Sequence, residues 1–187
     1  MVEEAYLPLT LTAPGITDAQ FQELCEQYAD FRVEYTADGE LLVMPPTDSE
    51  TGSRNAEITF QLRAWFHAFK KGRVTDSSSG FLLPNGARFA PDSAWISTER
   101  LRRKPTCPEF VIELLSPGDR RKKVHAKMLE WIDNGAELGW MIDPRTETVT
   151  IYRTGQEPEV LTKPTKVDGE GPVAGFTLEL EPVWRPD

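Results

Sequence analysis

Cysteine and histidine are nearly absent from this chain of 187 residues, which has two of each. Cys25 and Cys107 lie too far apart for a Cys-x-x-Cys zinc site, and two thiols do not make a disulfide framework. His67 and His125 are too few for a histidine-rich metal centre, and they argue against a Ser-His-Asp arrangement on supply alone. Any catalysis therefore falls to carboxylates and lysines. Long apolar runs are also missing: none approaches the ~18 residues of a membrane span. The first four residues, Met-Val-Glu-Glu, carry acids where a secretory signal carries positive charge, so a cytoplasmic protein without a membrane partner is expected. Basic charge is in deficit overall, 21 Lys and Arg against 30 Asp and Glu, a net −9 that argues against non-specific nucleic-acid binding by the surface as a whole.

What is present is an ordinary globular composition, long enough to bury roughly 70% of its unfolded surface without a disulfide or metal staple. One domain over residues 1–187 is expected, with an N-terminal helix and hairpin over 1–46, a core over 47–153 and C-terminal strands over 154–187. Thr17 and Gln20 form a capping-box pattern ahead of Phe21, Leu24, Cys25 and Tyr28 at helical spacing. Phe31, Val33 and Tyr35 then alternate with polar residues, and Asp38-Gly39 turns the chain into Leu41-Leu42-Val43-Met44 before Pro45-Pro46. Residues 47–55 read as a loop, and a long helix starting near Ser53 carries Ile58, Leu62, Trp65, Phe66 and Phe69 on one face until Gly72. Strands are predicted over 73–76, 80–83 and 89–96.

Residues 109–115 read as a strand buried on both faces, because the apolar residues are nearly continuous. Ser116-Pro117-Gly118-Asp119 then turns into a helix with Val124, Met128, Trp131 and Ile132 on one side and Asn134-Gly135 as its stop. Strands follow over 138–142, 148–152, about Val160-Leu161 and over 176–180. This order predicts a three-layer α/β domain, a mixed central sheet flanked by helices.

Glu113 is costly within Val111, Ile112, Leu114 and Leu115 unless it is paired, protonated or bound to a cation. Asp92 follows Ala90-Pro91 at the start of, or a bend in, a strand that can neighbour it. Two carboxylates on adjacent strands suit a hard divalent ion such as Mg²⁺, which takes one or two protein carboxylates and keeps waters and substrate phosphate. Lys127 and Lys123, one turn apart on the following helix, can both reach back toward the strand end. Glu57, just before Ile58 on the long helix, is a candidate third acid. Charge is also concentrated: residues 100–127 hold nine basic and three acidic side chains, a local +6 that leaves −15 for the rest. Such a window is either a solvated run or a phosphate-binding face on an otherwise DNA-repelling protein.

The order Pro-Asp, an acid inside an apolar strand, then a helical lysine resembles the PD-(D/E)xK nuclease superfamily. More narrowly, the chain resembles the restriction-endonuclease-like Uma-two family over most of its length. The matching stretches are Glu34 with Gly39-Glu40-Leu41 and Met44-Pro45-Pro46; Asn55-Ala56-Glu57-Ile58 with Leu62; Gly80-Phe81 with Leu83-Pro84-Asn85-Gly86; Ala90-Pro91-Asp92 with Trp95; Phe110-Val111-Ile112-Glu113-Leu114 with Ser116-Pro117; and Lys127 with Gly135 and Trp140.

The resemblance implies a restriction-endonuclease-like fold in which Asp92 and Glu113 bind metal, Glu57 is an additional helix acid and Lys127 is the active-site lysine. The position two after Glu113, where the superfamily carries that lysine, is Leu115. The implied activity is hydrolysis of DNA phosphodiester bonds with Mg²⁺, or Mn²⁺ in its place, held by Asp92, Glu113 and the Leu114 carbonyl. Arg120, Arg121, Lys122 and Lys123 would hold flanking phosphates, and a homodimer would set two sites against two strands. The alternative is a catalytically inactive nuclease-like module that binds DNA or protein. A carboxylate-pair glycosidase using Asp92 and Glu113 is chemically conceivable but leaves the basic window without a purpose.

Overall fold

A computed structural model describes residues 9–69 and 72–186. The acidic first four residues and the side chain of Phe69, both used above, lie outside what is described. The chain opens with β1 (Leu9–Thr12), α1 (Asp18–Gln27), β2 (Arg32–Tyr35) and β3 (Glu40–Met44). The Thr17 side chain and Gln20 cap α1 reciprocally as the sequence predicts, but no residue of that helix is fully buried. Gly39, at φ +84°, makes the turn between β2 and β3. β1 is a strand the sequence reading lacked: its Leu-Thr alternation pairs with β3, Leu9 opposite Val43.

Helix α2 (Ser49–Phe69) begins four residues before the expected Ser53. The polar stretch read as loop supplies its N-cap, because Asp48 Oδ1 accepts the Thr51 N–H at 2.9 Å and Oδ2 accepts the Thr51 hydroxyl at 2.7 Å. After β4 (Arg73–Asp76), the stretch expected as one strand over 89–96 is divided. β5 (Phe81–Leu82) and β6 (Arg88–Phe89) join β1, β3 and β2 in a five-stranded sheet, whereas β7 (Ser93–Ile96) belongs to the six-stranded one. The chain changes sheets at Ala90-Pro91-Asp92, where Pro91 has no N–H to give to either ladder.

The larger sheet runs β11 (Glu159–Thr162), β10 (Thr148–Arg153), β9 (Leu138–Asp143), β8 (Phe110–Leu114), β7, β4. It is mixed, β8 and β9 being parallel and its other neighbouring pairs antiparallel. The parallel pair needs a crossover, which α3 (Arg121–Asp133) provides. Every residue of β8 and β9 is buried, and alternation divides them between two cores. Phe110, Ile112 and Leu114 pack with Ile58 and Leu62 of α2, while Val111 packs with Met128 and Trp131 of α3. The hairpin of β12 (Lys166–Asp168) and β13 (Thr177–Glu179), with α4 (Glu181–Trp184), completes the α2 side through Phe176, Leu178 and Val183. Helices thus lie on both faces of a mixed sheet, as expected. The second sheet was not expected; its Phe81 and Phe89 share the α3 side with Trp131.

Candidate active site

Since Ile112 and Leu114 face α2, Glu113 must face α3, and it is 4% exposed there. Its Oε1 receives Lys127 Nζ at 2.8 Å and the Trp131 indole N–H at 2.9 Å. Lys127 and Trp131 are one helical turn apart on α3, so a single helix face meets the carboxylate with both groups. Asp92 immediately precedes β7, whose Ser93 pairs with Ile112, and this register sets Asp92 beside Glu113 on the neighbouring strand. Asp92 Oδ2 accepts the Leu114 N–H at 2.8 Å and Oδ1 accepts Arg32 Nη1 at 3.0 Å.

Two further members come from β2. Glu34 is 3% exposed, and its Oε1 accepts from Lys127 Nζ at 2.9 Å and from the Ala90 N–H at 3.0 Å. Arg32 Nε stands 3.9 Å from the same Glu34 oxygen. The result is a string of alternating charge, Asp92, Arg32, Glu34, Lys127, Glu113, in which each buried ion touches an opposite one. Burial alone would make such ions prohibitive, and the alternation is what lets them persist.

Desolvation pushes the Glu113 carboxyl up to about 7, with Lys127 opposing the rise and Asp92 and Glu34 adding to it. For Lys127, desolvation pulls downward, but the carboxylates of Glu113 and Glu34 outweigh it and hold the ammonium above its ordinary value. Arg32 behaves alike: burial disfavours its charge, and Asp92, Glu34 and Glu113 more than restore it. The charge on Lys127 thus favours an ionised Glu113, and the Glu113 carboxylate in turn favours the ammonium.

Arg32, Asp92 and Leu114 line an open cleft of about 1260 Å³, and through them the cleft connects to Glu34, Lys127 and Glu113. Across it, Asp48, Thr51 and Asn55 present one face of α2's first turns, and residues 116–119 form the rim leading into α3. Phe31, Met44 and Phe89 make the apolar part. Among the described residues the buried Oδ1 of Asn55 accepts no hydrogen bond. An acceptor left so is costly unless something else takes it. No group of three or more His, Cys, Asp or Glu side chains forms a ready-made cage among the described residues. Asp92 and Asn55 both line the cleft, while Glu113 lies next to Asp92 on the neighbouring strand; all three carry oxygen donors, the type a hard cation takes.

Of the expected residues, Asp92, Glu113, Leu114 and Lys127 are brought together. Glu57 is not: it accepts from Gln61 at 2.8 Å and lines a separate depression with Phe60, Glu181 and Arg185. Two helix positions separate it from Asn55, a rotation of about 200° at 3.6 residues per turn, so the two face opposite ways. Lys123 is exposed, one turn before Lys127. Arg120, Lys122 and Lys123 are exposed beside the rim, but Arg121 is engaged within the protein by Asp143 at 3.2 Å, Thr148 at 3.2 Å and Thr150 at 3.0 Å. The basic window is also divided by β8. Arg100 is tied to Glu109 at 3.2 Å and Glu137 at 2.8 Å at the strand's start, away from residues 120–123 past its end.

Arg32, Glu34, Trp131 and Asn55 are the members that sequence reasoning did not assign to the site. Glu34 and Asn55 stood in stretches that carry the resemblance, which was the available signal; Arg32 had none beyond its place two residues before Glu34.

A family model described as "Uma2: Putative restriction endonuclease" matches residues 18–181. The fold is similar to that of "a putative nuclease belonging to DUF820 from Anabaena variabilis ATCC 29413", with 22% sequence identity, 81% of this chain and 89% of that chain covered, and a TM-score of 0.71. No protein of curated function matches the sequence.

Proposed function

The chain belongs to the Uma2 family of restriction-endonuclease-like proteins, and from that premise we propose that it is a divalent-metal-dependent endonuclease that hydrolyses DNA phosphodiester bonds. The observation that carries the proposal is the juxtaposition of Asp92, which lines a large cleft, with Glu113 on the neighbouring strand behind it and Lys127 2.8 Å from Glu113. Asp92, Glu113, the Leu114 carbonyl and Asn55 Oδ1 would hold Mg²⁺, or Mn²⁺ in its place. When bound, such an ion makes coordinated water acidic and offsets charge on the phosphate. The remaining chemistry belongs to the chain. Lys127 opposes the desolvation that raises the Glu113 carboxyl, and Glu34 and the Ala90 carbonyl, 3.3 Å from Nζ, fix where that ammonium points. The Leu114 N–H fixes one oxygen of Asp92 and thereby aims the other into the cleft. Arg120, Lys122 and Lys123 would hold flanking phosphates beyond the rim.

One observation favours a second reading, a nuclease-like module that binds DNA or protein without cutting. Both Asp92 oxygens have partners from the protein itself, so the site's charges are satisfied internally. Cleavage of supercoiled plasmid and of a single-stranded oligonucleotide with Mg²⁺, Mn²⁺ or EDTA decides between them, run with Asp92→Ala and Lys127→Ala. Metal-dependent cutting that Asp92→Ala abolishes is the expected result. Cutting by Asp92→Ala at the parental rate, or in EDTA, overturns the assignment, and binding without cutting favours the module. Sedimentation velocity on the same preparation tests the homodimer, for which edge strand β1 offers exposed Leu9 and Leu11.

A further inference from the structure

Arg32 is held by its neighbours in a way that a purely structural arginine does not require. Its guanidinium fronts the cleft with a side chain 30% exposed, yet one nitrogen is committed to Asp92 at 3.0 Å and another only brushes the Met44 sulfur at 3.6 Å. Asp92 Oδ2 is fixed by the Leu114 N–H, so Oδ1 is the oxygen through which Asp92 can serve anything arriving in the cleft, and Arg32 stands on it.

We propose that Arg32 is a phosphate-binding residue of this site: it competes with a divalent cation for Asp92 Oδ1, and its guanidinium, once displaced, takes a non-bridging oxygen of the DNA phosphate. The inference rests on the metal-dependent nuclease reading above. A cation and a guanidinium on one carboxylate oxygen repel each other strongly at such separations, so binding of either weakens the other. The strand beneath the displaced side chain stays fixed, because β2 is anchored two residues on by Glu34, itself held by Lys127 and the Ala90 N–H. Glu34, whose Oε1 lies 3.9 Å from Nε while Arg32 is on Asp92, is a second carboxylate within its reach. The planar fork of a guanidinium matches phosphate oxygens, whereas an ammonium would act only as a point charge. The cleft lining carries Asp30, Asp48, Asp92 and Asp119 with only Arg32 and Arg88, and Arg88 is paired with Asp18. A phosphate entering such a wall needs both a cation and an arginine.

Two measurements on the full chain test this without relying on turnover: calorimetric titration with Mg²⁺ alone, and binding of a short duplex and a single-stranded oligonucleotide in Ca²⁺ at several salt concentrations. Arg32→Met is expected to bind Mg²⁺ about tenfold more tightly, since the competing charge is gone. It is expected to bind DNA about tenfold more weakly, with a log-log salt slope shallower by about one. Arg32→Lys keeps the charge and removes the fork, so Mg²⁺ affinity stays near the parental value while DNA affinity falls; this variant decides the matter if Arg32→Met fails to fold. Unchanged or weaker Mg²⁺ binding by Arg32→Met, or unchanged DNA binding by Arg32→Lys, overturns the inference. Asp92→Asn separates the two levels. If it abolishes Mg²⁺ binding while Arg32→Met changes nothing, only the role of Arg32 falls; if Mg²⁺ binds Asp92→Asn as before, the metal site falls, and this inference with it.

Discussion

The indole N–H of Trp131 donates to Glu113 Oε1 across 2.9 Å, on the same oxygen that Lys127 reaches at 2.8 Å. Trp131 is fully buried among Phe81 and Phe89, so an aromatic that reads as packing also carries one of the two donors that make a buried carboxylate tolerable. Trp131→Phe keeps most of the packing and removes the donor. A hydrogen bond to a charged partner contributes about 1.5–3 kcal/mol, and a loss of that size is expected in urea unfolding above about pH 7, where Glu113 is ionised. Repeating the measurement in a Glu113→Gln background distinguishes the hydrogen bond from packing: the loss shrinks if the charge on Glu113 is what the indole serves.

Glu113 also sets a pH dependence. Its carboxyl is raised from an ordinary 4.5 to about 7 in the folded protein, chiefly by desolvation. Between those values the unfolded chain releases the proton while the folded one retains it, so stability is full below the lower value and declines as pH rises through the upper one. Lys127, held above its ordinary value, stays protonated throughout this window and does not offset the decline. Urea midpoints of the parental protein are therefore expected to fall relative to Glu113→Gln from about pH 4.5 to about pH 7. Parallel curves for the two proteins would show that Glu113 titrates normally.

The α/β class was legible because periodicity and turn residues act locally: the Asp38-Gly39 turn, the Thr17 cap and the unbroken apolar strand β8 all stand where the sequence predicts them. A carboxylate inside that strand carries a visible cost, so Glu113 is legible as a site residue from sequence. Arg32 announced nothing, and Glu34 only that it stands in a stretch carrying the resemblance. Alternation with Phe31, Val33 and Tyr35 assigns them to water, and Glu34 is instead 3% exposed because a second sheet lays that face of β2 against α3 and the Ala90 turn. No local rule reports such a contact, since its partners lie 56 and 93 residues away in the chain. The division of residues 89–96 between two sheets escaped for the same reason.

Gly72 provides a test of the fold apart from the site. It leads into β4 at φ +90°, and a Cβ there would stand 2.3 Å from the Ile96 carbonyl oxygen. That oxygen belongs to the backbone of β7, so relief requires moving a strand and not a side chain. Gly72→Ala is expected to lose about 2 kcal/mol or more, combining the left-handed backbone cost with the overlap. Thermal unfolding measures it, and a melting temperature within a degree or so of the parental value would show that the connection into β4 adapts.

Asn55 and Glu57 make the sharpest contrast between what sequence alone suggests and what the fold presents. Glu57 has the more reactive side chain, yet it faces Gln61 and a depression beside α4, whereas Asn55 opens on the cleft with an oxygen that accepts no hydrogen bond among the described residues. An amide oxygen is a competent ligand for a hard cation, and a carboxylate in its place would be a stronger one. Asn55→Ala is therefore expected to weaken Mg²⁺ binding by about tenfold, the equivalent of about 1.4 kcal/mol, and Asn55→Asp to restore or strengthen it. Glu57→Gln is expected to leave it unchanged. Calorimetric titration of the three variants reads this directly. If Glu57→Gln weakens Mg²⁺ binding and Asn55→Ala does not, helix α2 serves the site through its other face, and the orphaned amide oxygen is no ligand at all.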